Sequence, residues 1–398
     1  MFSVLLVAAP LAAQTAPPGA GGTQPTQPAT APTTAPSPLN FSGVIFGSYN
    51  YQLPTTPAQL SGQISNSFIV DRAYLTFRMP AGDHVSIRIT TDVYQTSDTP
   101  NNAYTIRAKY AFLQYDGSKF KNGAQVTGRL GILQNVIVDH EENFWPRYLS
   151  QVPTERTGFF ASADAGLAGL VTLPNKMGEI YTTIVNGPGY TARERDRFKD
   201  FAARLTLTPL MSRTDLLQTL TFTAWGYKGA LASSFVNGGT GQIGAVGEAL
   251  DRSRAGVLVG IHDPRLVLGG EFAARHDDSE TGLNTAVAPR AVTEATGHLL
   301  SAFGQIRPMA FADPKGKSPW GLVARYDHVT PTASTTGFAT APSSSNAYHV
   351  LIGGLFWDLS QKAQLALDYQ ESLATANGVS NAPPTQSKAY FAHFVVNF

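Results

Sequence analysis

From residue 41 to the C-terminus, apolar and polar positions alternate in short segments separated by joins rich in Gly, Pro, Asn and Asp. A period of two places successive side chains on opposite faces of a β-strand. The segments fall at 41–51, 66–79, 84–95, 103–115, 124–134, 165–173, 178–187, 199–208, 217–228, 251–262, 264–276, 296–308, 318–329, 346–358, 362–371 and 387–398. They predict about sixteen strands, of which the ninth, twelfth and fourteenth alternate poorly. Joins after even-numbered strands are mostly short (80–83, 174–177, Asp263 alone, 359–361), and those after odd-numbered strands mostly long (135–164, 229–250, 277–295, 330–345). A soluble sandwich has no reason to sort loop length by strand parity. A membrane barrel does, because it has a turn rim and a loop rim.

Composition narrows the setting. Charged residues make up 14% of the chain, below the quarter typical of soluble domains. Lys and Arg number 29 against 28 Asp and Glu, so bulk charge argues against a nucleic-acid partner. There is no cysteine, which excludes thiolate metal sites and a disulfide scaffold. Past the extreme N-terminus no apolar run is long enough for a spanning helix, so a membrane location requires a closed barrel that satisfies its own backbone.

The beginning of the chain reads differently. Residues 2–13 have the apolar core and small-residue end of a secretory signal, yet the first charged residue of the chain is Asp71. A signal peptide wants a basic start, so 1–13 is read as a signal remnant with its true start upstream. Residues 14–39, rich in Pro, Ala and Thr, are expected to be a disordered periplasmic leader, and 40–398 the barrel.

The last strand, SKAYFAHFVVNF, puts Tyr390, Ala392, Phe394, Val396 and Phe398 on one face and stops on an aromatic. This ending resembles the C-terminal signal of bacterial outer-membrane barrels, with Tyr390, Phe394, Val396 and Phe398 as the assembly signal. The resemblance implies export by the Sec route to the outer membrane of a Gram-negative-type bacterium. It also implies contact with the barrel assembly machinery, with lipid and with lipopolysaccharide.

Registering each strand by its apolar face assigns the lumen, since a charge at the bilayer midplane costs about 2–4 kcal/mol. Arg72, Tyr74, Thr76 and Arg78 then point inward, as do Arg88, Thr90 and Asp92, Arg107 and Lys109, and Arg129. Ile106, Ala108, Tyr110 and Phe112 point to lipid. Arg72, Arg88, Lys109 and Arg129 form a basic patch on four consecutive strands, while Arg204, Arg275 and Arg325 face Asp92, Glu271, Asp327 and Asp368 from elsewhere. The longest join carries Asp139, Glu141, Glu142, Arg147, Glu155 and Arg156.

A long join after strand five, acids on it and a basic cluster on strands two to five together resemble the trimeric sixteen-stranded porins. The segments FIVDRAYLTFR, GRLGILQ and DAGLAG look similar to the phosphate-selective O/P type, although a long arginine ladder is missing. The resemblance implies an all-β antiparallel barrel with an inward-folded constriction loop. It makes Arg72, Arg88, Arg107, Lys109, Arg129, Arg204 and Arg325 the constriction cations, and implies a homotrimer passing small hydrophilic or anionic solutes. Tyr49, Tyr51, Tyr74 and Tyr94 keep a sugar channel open, and loop acids keep a cation-preferring one open. The cluster Arg193, Glu194, Arg195, Asp196, Arg197 and Lys199 reads as an external, lipopolysaccharide-facing group. No HExxH, GxSxG or phosphate-binding glycine loop occurs, so neither enzyme, metal nor cofactor is expected; a barrel enzyme and a plugged scaffold are the remaining alternatives.

Overall fold

The computed structural model describes residues 39–54, 66–95, 103–194, 196–233, 249–281, 291–313, 318–330, 347–374 and 387–398. The expected signal remnant, nearly all of the leader and Arg195 lie outside these residues. Sixteen antiparallel strands pair in chain order and close on themselves, the first with the last. They are β1 (Asn40–Leu53), β2 (Asn66–Pro80), β3 (Val85–Gln95), β4 (Tyr104–Asp116), β5 (Gln125–Gln134), β6 (Ala163–Thr172), β7 (Gly178–Val185) and β8 (Asp200–Leu207). The second half comprises β9 (Thr221–Ala232), β10 (Ala249–Asp263), β11 (Leu266–Thr281), β12 (Ala291–Ile306), β13 (Trp320–Thr330), β14 (Tyr348–Asp358), β15 (Ala363–Ala374) and β16 (Ser387–Asn397).

The last residue closes the ring. The Phe398 N–H donates to the Gly43 carbonyl and the Gly43 N–H to the Phe398 carbonyl, both at 3.0 Å. The Phe398 ring lies 5.8 Å from that of Phe41, over a glycine whose Cβ, if present, would meet it at 2.3 Å. Closure leaves no free sheet edge, as a lipid environment demands. The outward face is apolar: Leu268, Phe272, Leu300, Leu322, Leu351, Leu355 and Leu367 are all exposed.

Three expectations shift. The ninth strand starts at Thr221 rather than 217, because Asp215 accepts the Leu217 N–H and starts a short 3-10 turn over Leu216–Thr219. β11 and β12 pair out to Thr281 and Ala291, shortening the expected 277–295 join. Tyr110 and Phe112 face the interior, at 3% and 5% exposure, where the alternation had put them in lipid. The cause is a bulge: Thr90 pairs with Tyr110 but Thr91 with Ala108, so Lys109 is the extra residue and every later side chain changes face.

Candidate functional site

The segment between β5 and β6 carries two single-turn helices, α1 (Val138–Glu141) and α2 (Pro153–Arg156). Its apolar residues Val136, Ile137, Val138, Trp145 and Val152 have no exposed surface. They pack with inward-facing Leu258, Leu299, Phe303, Val323, Ile352 and Phe356 in one buried cluster. Gly260 on β10 makes room for this contact, since a Cβ there would stand 2.5 Å from the Phe144 ring.

Polar anchors repeat around the same arc. The Tyr181 hydroxyl on β7 donates to the Gln134 carbonyl at 3.2 Å, and the Arg204 guanidinium on β8 donates to that of Val136. His140 meets the Thr223 hydroxyl of β9 at 2.8 Å. Burial, reinforced by the nearby Arg204 charge, pushes that imidazole down to about 3, so it is neutral at ordinary pH. On β13, Arg325 donates to the Gln151 carbonyl at 2.5 Å, lies over the Trp145 ring and forks onto Asp327. Gln370 on β15 donates to the Leu149 carbonyl at 2.9 Å, and the Tyr148 hydroxyl bonds Gln364. Arg204 and Arg325, expected among the constriction cations, are thus 6% and 1% exposed and occupied in holding the segment to the wall.

The opposite arc is built differently. Asp92 on β3 has no exposed surface and binds Arg72 at 2.7 Å and Arg107 at 2.9 Å. The Arg107 guanidinium lies between the rings of Tyr94 and Tyr190, 3.8 and 4.6 Å from their centroids. Arg88, Lys109 and Arg129 have no carboxylate within 4.0 Å among the described residues. Arg88 donates to Thr90 at 3.2 Å and covers Tyr110, and Lys109 sits 4.2 Å over Tyr74. Arg129 donates to Gln114 at 2.9 Å and to Gln134 at 3.0 Å, and Gln134 in turn donates to Asp139 at 3.0 Å. The rings of Tyr110 and Phe112, brought inward by the bulge, are the platforms on which Arg88 and Arg129 rest.

Facing this wall, Arg147 is clamped by Glu142 at 2.5 Å and by Glu155. Burial works against its charge, but the two carboxylates outweigh that and hold it well above its ordinary value. Arg156 donates to Ser150 at 2.7 Å and Gln370 at 3.2 Å, and burial, with Arg325 adding to it, pulls it down to about 10. Glu141 faces away from the basic wall, toward Glu271. Two cavities border these residues, one against the basic wall and one against Arg147. One of about 450 Å³ is lined by Arg78, Ser86, Arg88, Phe112, Gln114 and Arg129. The other, about 200 Å³, is lined by Ser48, Asp71, Arg147, Arg156, Gln370 and His393. In the expected external cluster, Lys199 pairs with Glu194 at 2.8 Å, while Asp196 accepts the Ala232 N–H at 2.9 Å and ties that connection to β9.

Sequence reasoning missed the apolar inward residues of β10 to β14 and the glutamine relay at Gln134. The first had a signal, the poor alternation of strands twelve and fourteen; the second had none.

No family model matches the sequence, and no curated protein does. Solved structures do resemble the fold. The outer-membrane channel DcaP of Acinetobacter baumannii aligns at 14% identity and a TM-score of 0.58, over 92% of this chain and 99% of that one. An anion-selective porin from Comamonas acidovorans aligns at 9% and 0.56, over 91% and 100%. A trimer form of OmpT, an outer membrane protein of Vibrio cholerae, aligns at 10% and 0.54, over 92% and 100%. At such identities the likeness establishes a shared architecture: the chain has the closed sixteen-stranded antiparallel barrel of these outer-membrane proteins.

Proposed function

We propose that this protein is a porin of a Gram-negative-type outer membrane, a water-filled channel for small hydrophilic solutes with a mild preference for anions. The observation that carries this reading is the one-sided attachment of the β5–β6 segment. Apart from Gln134 at the end of β5, its anchors lie on β7 to β15, and the arc from β2 to β5 is left with cations on the side of the loop acids Asp139, Glu142 and Glu155. In this reading the segment is the constriction loop, and opposed charges at a narrow point orient and select solutes. The anion preference rests on Arg88 and Arg129, since Lys109, expected among the constriction cations, is 3% exposed against the Tyr74 ring. An anion passing about 4 Å from one such cation gains about 1 kcal/mol in a water-like medium, roughly five-fold in occupancy. Phosphate is one such anion, without a dedicated arginine ladder to favour it. The trimer form of OmpT and the anion-selective Comamonas porin support a homotrimer and the sign of selectivity by likeness of fold.

Liposome swelling with anionic, neutral and cationic solutes of equal size tests the proposal. The anion is expected to enter fastest, with the advantage lost in the Arg88→Ala/Arg129→Ala double variant. Faster entry of the cation would assign control to Asp139, Glu142 and Glu155. No entry of any solute from a folded barrel would reject the channel.

A further inference from the structure

The outer face of the barrel changes character where β11 and β12 extend toward the long-loop rim. Outward positions run Leu268, Phe272, His276, Asp278 on β11 and Leu300, His298, Glu294 on β12, from apolar to polar within a few residues. The Phe272 and His298 rings stack at 5.8 Å at that boundary. Just beyond it, one donor atom from each of His276, Asp278 and Glu294 lies within 4.8 Å of the other two.

The topology builds this group. His276 and Asp278 are two apart on one strand and share a face, and Asp278 is the direct cross-strand partner of Glu294. Like charges directly opposite one another destabilise a strand pair. Asp251 on β10 adds a third carboxylate, already paired with Lys228 at 2.7 Å, and its backbone N–H donates to Asp278 Oδ2 at 3.0 Å. That bond fixes the Asp278 carboxylate in place and leaves Oδ1, 3.2 Å from His276 Nε2, turned toward the group. An orienting hydrogen bond on the far oxygen is the usual support of a ligating carboxylate.

We infer that His276, Asp278 and Glu294 form a divalent-metal site of the zinc class, fastening β11 to β12 on the outside of the barrel. One imidazole nitrogen with two carboxylates suits zinc, whereas calcium and magnesium take all-oxygen shells. A cation there reverses the sign of the Asp278–Glu294 interaction. Three protein ligands leave a fourth position facing outward, open to water or to a phosphate oxygen of the headgroup layer.

The test is calorimetric titration of the folded full-length chain in detergent with zinc, calcium and magnesium chlorides in turn. Heat-dependent gel mobility verifies that each variant is folded. One zinc per chain is expected, with affinity at least about 10-fold lower in His276→Ala, Asp278→Asn and Glu294→Gln, as for loss of a metal ligand or its support. His349→Ala is the control, since His349 and Glu371, 3.5 Å apart, offer another outward imidazole–carboxylate pair; its zinc affinity is expected to be unchanged. Zinc should raise the unfolding temperature of wild type and of the control but not of the other three. Zinc binding that survives Asp278→Asn and Glu294→Gln, or is lost with His349→Ala, would overturn the assignment. So would calcium binding that matches zinc and is indifferent to His276→Ala.

Discussion

Replacing Glu141 with Gln probes the contact between the β5–β6 segment and the wall. The Glu141 carboxyl has no exposed surface and accepts the Thr154 N–H at 3.1 Å and the Thr154 hydroxyl at 2.5 Å. Beside it on β11 stands Glu271, 3% exposed, which the Trp225 indole N–H also approaches. Arg325 bears on Glu141, but it is forked onto Asp327, which itself bears on Glu271. Two buried carboxylates so placed repel, whereas a single shared proton makes the contact a hydrogen bond. Burial raises Glu141 above its ordinary value, more than the hydrogen bonds from Glu271 and Thr154 and the Arg325 charge lower it. The unfolded chain releases this proton at about pH 4.3, while the folded chain keeps it to higher pH. Its stabilisation is therefore complete below the unfolded value and is lost as pH rises through the folded one. Across that window the slope is about 1.4 kcal/mol per pH unit for one proton. In the Glu141→Gln variant the one remaining oxygen accepts one of the two Thr154 bonds, the amide N–H donates to Glu271, and the side chain does not titrate. Urea unfolding followed by tryptophan fluorescence, from about pH 4 to about pH 9, should show the wild type losing stability with rising pH and the variant losing about 1.4 kcal/mol less per unit in the window. Equal slopes in the two proteins would refute the shared proton.

Gly260→Val should push Phe144 off β10, costing about 1–3 kcal/mol by overpacking, and protease cleavage within 135–162 should become faster than in wild type. Asp92→Asn leaves Arg72 and Arg107 without their shared carboxylate. A shift of reversal potential toward anions is expected, with a stability loss of about 2 kcal/mol, discounted because both arginines are partly solvated. Gly43→Val occupies the place of the Phe398 ring, so the yield of heat-modifiable folded barrel should fall well below that of wild type.

The strands and their order were legible because lipid outside and water inside impose alternation on nearly every stave, and because turn rim and loop rim differ in length. Where that alternation failed, the failure had a cause. Val350, Ile352 and Phe356 on β14 face the buried β5–β6 segment while Leu351, Leu355 and Trp357 face outward, so both sides are apolar and the period of two fades. Tyr110 and Phe112 were misplaced because one extra residue at Lys109 reverses the count, and nothing in AKYAF marks a bulge. The acids of the segment were legible as a group but not individually, since only the packing turns Glu141 to the wall and Glu142 to the clamp. The grouping of His276 with Asp278 and Glu294 depends on cross-strand register across an unusually extended hairpin.

In the proposed channel, solutes pass between the β5–β6 segment and the basic arc of β2 to β5. Single-channel recording in a planar bilayer, with reversal potentials in a salt gradient, tests it most directly. Stable open steps and anion-directed reversal are expected, with that selectivity lost and conductance retained when Arg88 and Arg129 are replaced by Ala. A barrel that folds but never conducts, or selectivity untouched by those two replacements, would contradict it.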